Sequence, residues 1–315
     1  MPGDVLRAAV IAARDIGFPR ITFSGGEPTL LNNLPDYIET VRTLYPTCTL
    51  GLVTNGYGLG AMWRRLREHL DYLDITILSL KRTTYRRFTQ VPPGTILRLL
   101  GKSTPRKPLV TINCVVIDEN SEELKKIVRL AQENRYSLTL MVSLPLHQET
   151  PTAFKAIERI IKSQELTDIK VSSTPVLERS FDAQRTLRIK LPFLSGLIQW
   201  NQCGRCSHRS RCGEFFCAIR IYPDGSVSSC RLKISRRKAR TPNEMKELLS
   251  ASLHRMVGEF KNWTDLVPWT TQRLPNVRYI IAEPWRAPPA LYALGDTSRS
   301  TKRAEGRRTV KGSKT

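Results

Sequence analysis

The stretch Ile21-Thr22-Phe23-Ser24-Gly25-Gly26-Glu27-Pro28 decides the fold, because a short apolar run breaks there into a polar, permissive turn. Its first three residues predict a buried strand. The two glycines allow positive φ or the close approach of a ligand, and Pro28 lacks a backbone N–H and ends the strand. Glu27 is thereby placed at the carboxyl end of a strand, where α/β folds bind their ligands. An ordinary glycine-rich turn between a strand and a helix would show the same short pattern.

Strand and helix patterns alternate from this stretch to about residue 146. The predicted helices are 4–17, 34–45, 59–70, 83–101 and 121–134, with Asp4 and Ser121 as N-caps and Gly17 as the terminating glycine. The helix at 83–101 is predicted to be interrupted by Pro92-Pro93-Gly94. The predicted strands are 21–23, 49–56, 74–80, 109–117 and 137–146. Buried strands separated by helices indicate a parallel sheet or a barrel. Polar or permissive residues are predicted at the carboxyl ends of the strands, among them Asn55, Ser79 and Asn113, as in an α/β barrel that builds an active site.

The charge of the chain limits its partners. The net charge is +22, and Arg and Lys are densest in residues 205–240 and 298–315. Such an excess predicts attraction to phosphates, and we expect weak nucleic-acid or phosphate contacts through a disordered basic tail.

No apolar run approaches the length of a membrane span, and no signal-peptide pattern opens the chain. We therefore expect a cytoplasmic protein without a membrane partner.

Five of the seven cysteines lie in one window: Cys203, Cys206, Cys212, Cys217 and Cys230. Residues 218–229 predict a hairpin that turns at Pro223-Asp224-Gly225 and brings Cys217 and Cys230 together. Thiolates at this spacing can form a zinc site or hold an iron–sulfur cluster, and spacing alone does not choose between them. Reduced thiols that bind no metal are the third reading. Cys48 and Cys114 lie in apolar strands and are predicted to be buried core thiols.

Taken together, the motifs resemble the radical S-adenosylmethionine superfamily. The residues that carry the resemblance are Gly25–Pro28, Val53–Gly56, Ile77–Leu80 and Ile112–Val116. Within the superfamily, the chain is similar to the molybdenum-cofactor GTP cyclase and its relatives. Residues 191–198 and 220–232 resemble the auxiliary-cluster domain of that group, which peptide-modifying members share. The resemblance covers roughly residues 4–235.

This resemblance implies an α/β fold with three parts. A partial (β/α)6 TIM-like barrel that lacks its first strand would occupy residues 1–150. A small cysteine-rich α+β auxiliary-cluster domain of the SPASM/twitch kind would occupy residues 151–284, and a basic tail residues 285–315.

The resemblance also implies S-adenosylmethionine as cofactor. Gly25, Gly26 and Glu27 would hold its methionyl amino group. Asn55 and Ser79 would lie near its ribose or carboxylate, and Asn113 near its ribose or adenine. The clustered cysteines, led by Cys212, Cys217 and Cys230, would ligate an auxiliary [4Fe-4S] cluster, with zinc as the alternative metal.

The superfamily's Cys-x3-Cys-x2-Cys loop, which binds the catalytic cluster, is not found in this sequence. We expect a chain truncated at its start, so the sequence leaves open whether this product is an enzyme. The intact parent would cleave S-adenosylmethionine to a 5′-deoxyadenosyl radical. That radical would abstract hydrogen from a small-molecule or peptide substrate, with flavodoxin or ferredoxin as the reductant. The alternatives are a GTP cyclase-like enzyme of molybdopterin biosynthesis and a non-catalytic, degenerate iron–sulfur or zinc protein.

Overall fold

A computed structural model describes residues 1–88, 93–101, 108–142, 151–164, 168–171, 176–182, 185–190, 218–230, 237–258 and 278–281. The helices are α1 (Gly3–Ile16), α2 (Leu34–Leu44), α3 (Leu59–His69), α4 (Arg82–Phe88), α5 (Pro93–Leu100), α6 (Leu124–Glu133), α7 (Pro151–Ser163) and α8 (Pro242–Gly258). The strands are β1 (Arg20–Phe23), β2 (Thr49–Thr54), β3 (Tyr72–Thr76), β4 (Leu109–Val116), β5 (Ser137–Val142), β6 (Asp168–Val171), β7 (Val176–Ser180), β8 (Thr186–Lys190), β9 (Arg220–Ile221), β10 (Val227–Ser228) and β11 (Arg278–Ile281). Short 3-10 helices occupy Pro28–Leu30 and Asp118–Glu123.

One sheet of nine strands organises the molecule, in the order β1-β2-β3-β4-β5-β8-β7-β6-β11. Strands β1 to β5 and β8 are all parallel, so the predicted α/β class with a mostly parallel sheet is confirmed. The sequence patterns predicted five of these strands, and β8 is a sixth. The sheet continues past residue 150, where a domain boundary is predicted. The boundaries at 150 and 284 stay predictions.

The main core lies between the helices and one face of the sheet. Alternate strand residues such as Leu52, Ile75 and Ile112 are fully buried there. Apolar residues of the covering helices, including Ile38 of α2 and Ile127 of α6, belong to the same cluster. Each such side chain contributes about 1.5–3 kcal/mol by leaving water. Cys48 and Cys114 are buried in this cluster, which confirms them as core thiols.

A second core joins α1 to β10 and α8. Val5, Ala8 and Ala12 of α1 pack in one buried cluster with Leu249 of α8 and Val227 of β10. The predicted hairpin is confirmed, because β9 and β10 pair antiparallel. Helix α8 begins at Pro242. The hairpin that leads to Cys230 is therefore held against the helix that precedes β1.

The two predicted helix N-caps are wrong. Pro2, not Asp4, caps α1, and Asp4 lies in the first turn, where a carboxylate complements the helix dipole. Ser121 is not a cap, because it lies inside the second 3-10 helix and its hydroxyl donates to the Asp118 carbonyl. Gly17 is confirmed as the terminating residue, with a left-handed φ of 86°.

Other differences concern strand ends. Strand β3 ends at Thr76 and not at residue 80. Asn113 was predicted at the carboxyl end of its strand, but it lies in the middle of β4, which runs from Leu109 to Val116. The predicted interruption of helix 83–101 is confirmed, since α4 ends at Phe88 and α5 begins at Pro93. The tail 285–315, residues 191–198 and the cysteines from 203 to 217 lie outside the described residues.

Candidate functional site

The carboxylate of Glu27 ties the turn after β1 to the end of β2. Its Oε1 accepts hydrogen bonds from the Thr29 backbone N–H (3.0 Å), the Thr29 hydroxyl (2.6 Å) and the Thr54 hydroxyl. Its Oε2 accepts the backbone N–H of Asn55 at 2.7 Å. Neighbouring parallel strands end at the same edge of a sheet, so one side chain can hold both loops. Glu27 and Asn55, two predicted site residues, are thus brought together.

Gly25 and Gly26 form an exposed ledge beside this carboxylate. Gly25 has φ +143°, a conformation that L side chains rarely adopt. A Cβ built on either glycine would have no heavy atom within 4 Å. The space above both residues is therefore open, and the backbone there can approach a bound molecule closely.

The loop after β2 is packed tightly against the same turn. The Thr54 side chain is buried, and its hydroxyl accepts the Gly56 N–H at 2.9 Å. The Gly58 N–H donates to the Thr29 hydroxyl at 3.0 Å, and a Cβ at Gly58 would lie 2.1 Å from the Thr29 carbonyl oxygen. The Asn55 side chain accepts the Tyr57 N–H at 2.9 Å, which orients its amide at the loop surface. Two loops therefore form one rigid edge.

Ser79 lies in a different setting, three residues after β3 ends. It is fully buried, and its hydroxyl donates to Glu123 Oε1 at 2.6 Å. Glu123 Oε2 accepts the backbone N–H groups of Leu80 (2.7 Å) and Lys81 (3.2 Å). The buried carboxylate thus fixes residues 79–81, and the Ser79 hydroxyl is used within this network.

Asn120 makes a second link in the same region. Its amide donates to the Leu78 carbonyl (2.6 Å) and the Val115 carbonyl (2.8 Å), and its Oδ1 accepts the Ile117 N–H (3.0 Å). A fully buried amide that meets three backbone groups stabilises the loop after β3 against β4. Asn113 itself is half-buried in β4, paired in register with Thr76 of β3 and Thr139 of β5.

Three residues of these networks were not predicted from the sequence: Thr29, Asn120 and Glu123. The last two lie in Glu119-Asn120-Ser121-Glu122-Glu123, where five polar residues before an apolar helix usually indicate a solvated cap. Nothing local distinguishes the buried Glu123 from the exposed Glu122. Only the contact with Ser79, 44 residues earlier in the chain, shows the difference.

The metal prediction reaches the described residues only at Cys230. This cysteine is half-buried after β10, and its N–H donates to the Ser228 hydroxyl at 3.0 Å. Within the described part of the chain, no group of three or more His, Cys, Asp or Glu residues is arranged to hold a metal ion. The other four clustered cysteines lie outside it: Cys203, Cys206, Cys212 and Cys217.

Among the helices that the structure describes, none is long and apolar enough to cross a membrane.

Comparison with known proteins identifies the superfamily. Residues 1–131 match the family model described as "Radical SAM superfamily", and this match confirms the resemblance to the radical S-adenosylmethionine superfamily. The GTP 3′,8-cyclase of Clostridium perfringens (strain 13 / Type A) is 24% identical over 267 residues, covering 80% of this chain and 79% of that protein. A probable GTP 3′,8-cyclase of Pyrococcus abyssi is 27% identical over 241 residues, covering 74% and 75%.

Solved structures support the same fold. Streptococcus suis SuiB bound to S-adenosylmethionine matches with a TM-score of 0.50 at 13% identity, covering 73% of this chain and 53% of that chain. SuiB bound to its precursor peptide SuiA matches with a TM-score of 0.52 at 13% identity, covering 76% and 55%. The chain therefore spans about half the length of these SuiB chains. At this identity the likeness concerns the fold alone.

Proposed function

We propose that this chain binds S-adenosylmethionine at the edge formed by the turn after β1 and the loop after β2. The observation that carries the proposal is the unequal use of the Glu27 carboxylate. Among the described residues, Oε1 receives three donors and Oε2 receives one. Each of the two carboxylate oxygens offers about two acceptor positions, and Oε2 uses one of its own. Oε2 therefore retains capacity for the cofactor's ammonium group beside the Gly25-Gly26 ledge.

The finer fold and chemistry belong to the same proposal. Six parallel strands support a partial (β/α)6 barrel, with the strand face opposite the helices on its inside. The radical reaction would need a catalytic [4Fe-4S] cluster. This sequence contains no Cys-x3-Cys-x2-Cys to ligate that cluster, so the residues present do not fit it. What these residues do support is cofactor binding. A reductant such as flavodoxin or ferredoxin, and a small-molecule or peptide substrate, would enter only with the cluster.

Filling the glycine ledge tests this site. Gly26→Val places its side chain in open space, so we expect a melting temperature within about 2 °C of wild type, since surface changes rarely exceed 0.5 kcal/mol. The new side chain would occupy the space of the methionyl group, and we expect S-adenosylmethionine affinity to fall at least tenfold in equilibrium dialysis. Gly60→Val is the matched control, because Gly60 of α3 also has no atom within 4 Å of a built Cβ. Equal affinity of both variants would exclude the ledge.

The auxiliary cluster is proposed at Cys203, Cys206, Cys212, Cys217 and Cys230, and metal analysis tests it. After anaerobic reconstitution, we expect about four iron atoms per chain and a loss of most of that iron in Cys230→Ala. Cys48→Ala is the control, because Cys48 is buried in the main core. Zinc without iron would support the degenerate zinc protein. Iron unchanged in Cys230→Ala would exclude Cys230 as a ligand.

A GTP 3′,8-cyclase activity is the second candidate function. It is favoured by relatives of that name, which align over about four fifths of both chains in the first comparison. Incubation with GTP, S-adenosylmethionine and a reductant, followed by mass spectrometry of the nucleotide, tests it. Consumption of GTP that requires S-adenosylmethionine would support the activity, and unchanged GTP would argue against it for this chain.

A further inference from the structure

A cluster of exposed cations lies on α4 and on the residue before it. The cluster, here called the basic patch, consists of Lys81, Arg82, Arg86 and Arg87. Residues 81–88 contain no acidic side chain. Arg87 forms an ion pair with Glu119 at 3.5 Å. Among the residues that the structure describes, no carboxylate pairs with the side chains of Lys81, Arg82 or Arg86. The patch therefore carries three cations that no acidic side chain of the described residues neutralises.

The backbone that carries the basic patch is held in place at two points. Tyr85 is fully buried, and its hydroxyl donates to the Thr76 carbonyl at 3.2 Å. The Lys81 N–H donates to the Ser79 hydroxyl at 3.0 Å and to Glu123 Oε2 at 3.2 Å. The cationic side chains therefore project into water from a fixed backbone. A ligand that contacts them would not have to order the helix, which lowers the free-energy cost of binding.

Two cations of the patch are neighbours on one face of α4. Arg82 and Arg86 lie four residues apart, about 6 Å along the helix axis, and like charges at this spacing destabilise a helix. At the same spacing on α6, Arg129 is paired with Glu133 at 2.7 Å. The two arginines of α4 have no such carboxylate in the described part of the chain. A series of cations without carboxylates suits a ligand that carries a series of negative charges, such as the phosphates of a nucleic-acid strand.

An exposed aromatic ring lies in a neighbouring loop. Tyr57 follows β2, the strand beside β3, and is 48% exposed. Its N–H donates to the Asn55 side chain at 2.9 Å, and a Cβ built on the adjacent Gly56 would lie 2.8 Å from Ile96 of α5. The loop is therefore fixed beside the helix that follows α4. Proteins that bind single strands combine cations for the backbone with aromatic rings on which unpaired bases stack.

We propose that the basic patch and Tyr57 form a docking surface for a single-stranded nucleic acid. The side chains of Lys81, Arg82 and Arg86 contact its phosphates, and the Tyr57 ring stacks on one of its bases. The net charge of +22 adds a long-range attraction for a polyanion. The surface goes beyond the proposed function, because a strand can dock on it without S-adenosylmethionine. It is also separate from the basic tail at residues 285–315.

Anisotropy titrations of the full chain test the proposal, with a fluorescein-labelled single-stranded RNA of about 12 nucleotides as the probe and salt from about 50 to 200 mM. We expect saturable binding that weakens with salt. In Arg82→Ala/Arg86→Ala, the slope of log affinity against log salt should be shallower by about 1.4, since each phosphate contact on a single strand contributes about 0.7. In Tyr57→Ala, the affinity should fall about fivefold or more with the slope unchanged.

Arg64→Ala/Arg67→Ala is the matched control, because it removes two exposed charges from α3 and should leave the slope close to wild type. Melting temperatures within about 2 °C of wild type ensure that the variants are folded. The proposal is overturned by an absence of RNA binding to wild type, by an unchanged slope in Arg82→Ala/Arg86→Ala or by the same change in the control. Unchanged affinity in Tyr57→Ala, or tighter binding of a duplex of equal length, would also overturn it. None of these results depends on S-adenosylmethionine, so the proposed function is tested separately.

Discussion

Replacement of Glu27 by alanine is expected to abolish S-adenosylmethionine binding and to destabilise the protein. The variant removes the acceptor of four hydrogen bonds, from Thr29 N–H and hydroxyl, Thr54 hydroxyl and Asn55 N–H. Thr29 and Thr54 are almost fully buried, so their donors cannot turn to water. Each buried group left without a partner costs about 1–3 kcal/mol, and we expect a loss of about 3 kcal/mol in urea unfolding.

A second variant separates cofactor binding from stability. Glu27→Gln keeps an oxygen for the three donors on Oε1, but its NH2 group would face the Asn55 N–H and an incoming ammonium. We expect its stability to lie between wild type and Glu27→Ala, and its cofactor affinity to fall about 10- to 100-fold, as for a lost hydrogen bond to a charged group. Glu39→Ala is the control, because Glu39 forms an exposed ion pair with Arg65. Wild-type affinity in Glu27→Gln would contradict the role of the charge.

Replacement of Glu123 by alanine is expected to have the largest effect on stability alone. This carboxylate is 3% exposed and accepts from the Ser79 hydroxyl and the N–H groups of Leu80 and Lys81. Its removal leaves two backbone donors and a cavity beside a fully buried serine. We expect a loss of about 3–5 kcal/mol of unfolding free energy, measured by urea denaturation, or failure to accumulate folded protein.

The neighbouring residue provides a close control. Glu122 lies one position earlier and is exposed, with an ion pair to Arg159 at 3.5 Å, so Glu122→Ala should change stability by less than about 0.5 kcal/mol. Glu123→Gln should cost less than Glu123→Ala, because its amide oxygen can still accept the Leu80 and Lys81 N–H groups. Similar stability of Glu122→Ala and Glu123→Ala would show that the buried network does not stabilise residues 79–81.

Local patterns were sufficient for most elements of the fold. The apolar residues of α1 recur at helical spacing and Gly17 ends it, so both the helix and its terminating residue followed from the sequence. The Pro223-Asp224-Gly225 turn is also a local pattern, and it predicted the β9–β10 hairpin. Strand β8 was missed as a parallel strand, because its partner β5 lies about 49 residues earlier and nothing within Thr186–Lys190 shows the direction of pairing.

Residues of the candidate site could be predicted only where adjacent residues in the sequence indicate their role. Two glycines before Glu27 free the backbone for positive φ, a signal that is visible in the sequence, and the structure places them on an exposed ledge. The predicted contact of Ser79 with the cofactor stays a prediction, since its hydroxyl is used by Glu123.

The central claim is that this chain binds S-adenosylmethionine at the Glu27 edge, and one titration tests it most directly. Wild-type protein is titrated anaerobically with S-adenosylmethionine in a calorimeter, with Glu27→Gln measured in parallel. We predict saturable binding of one molecule per chain by wild type and affinity at least tenfold weaker in Glu27→Gln. Absence of binding to folded wild-type protein, or equal affinity in both, would contradict the claim.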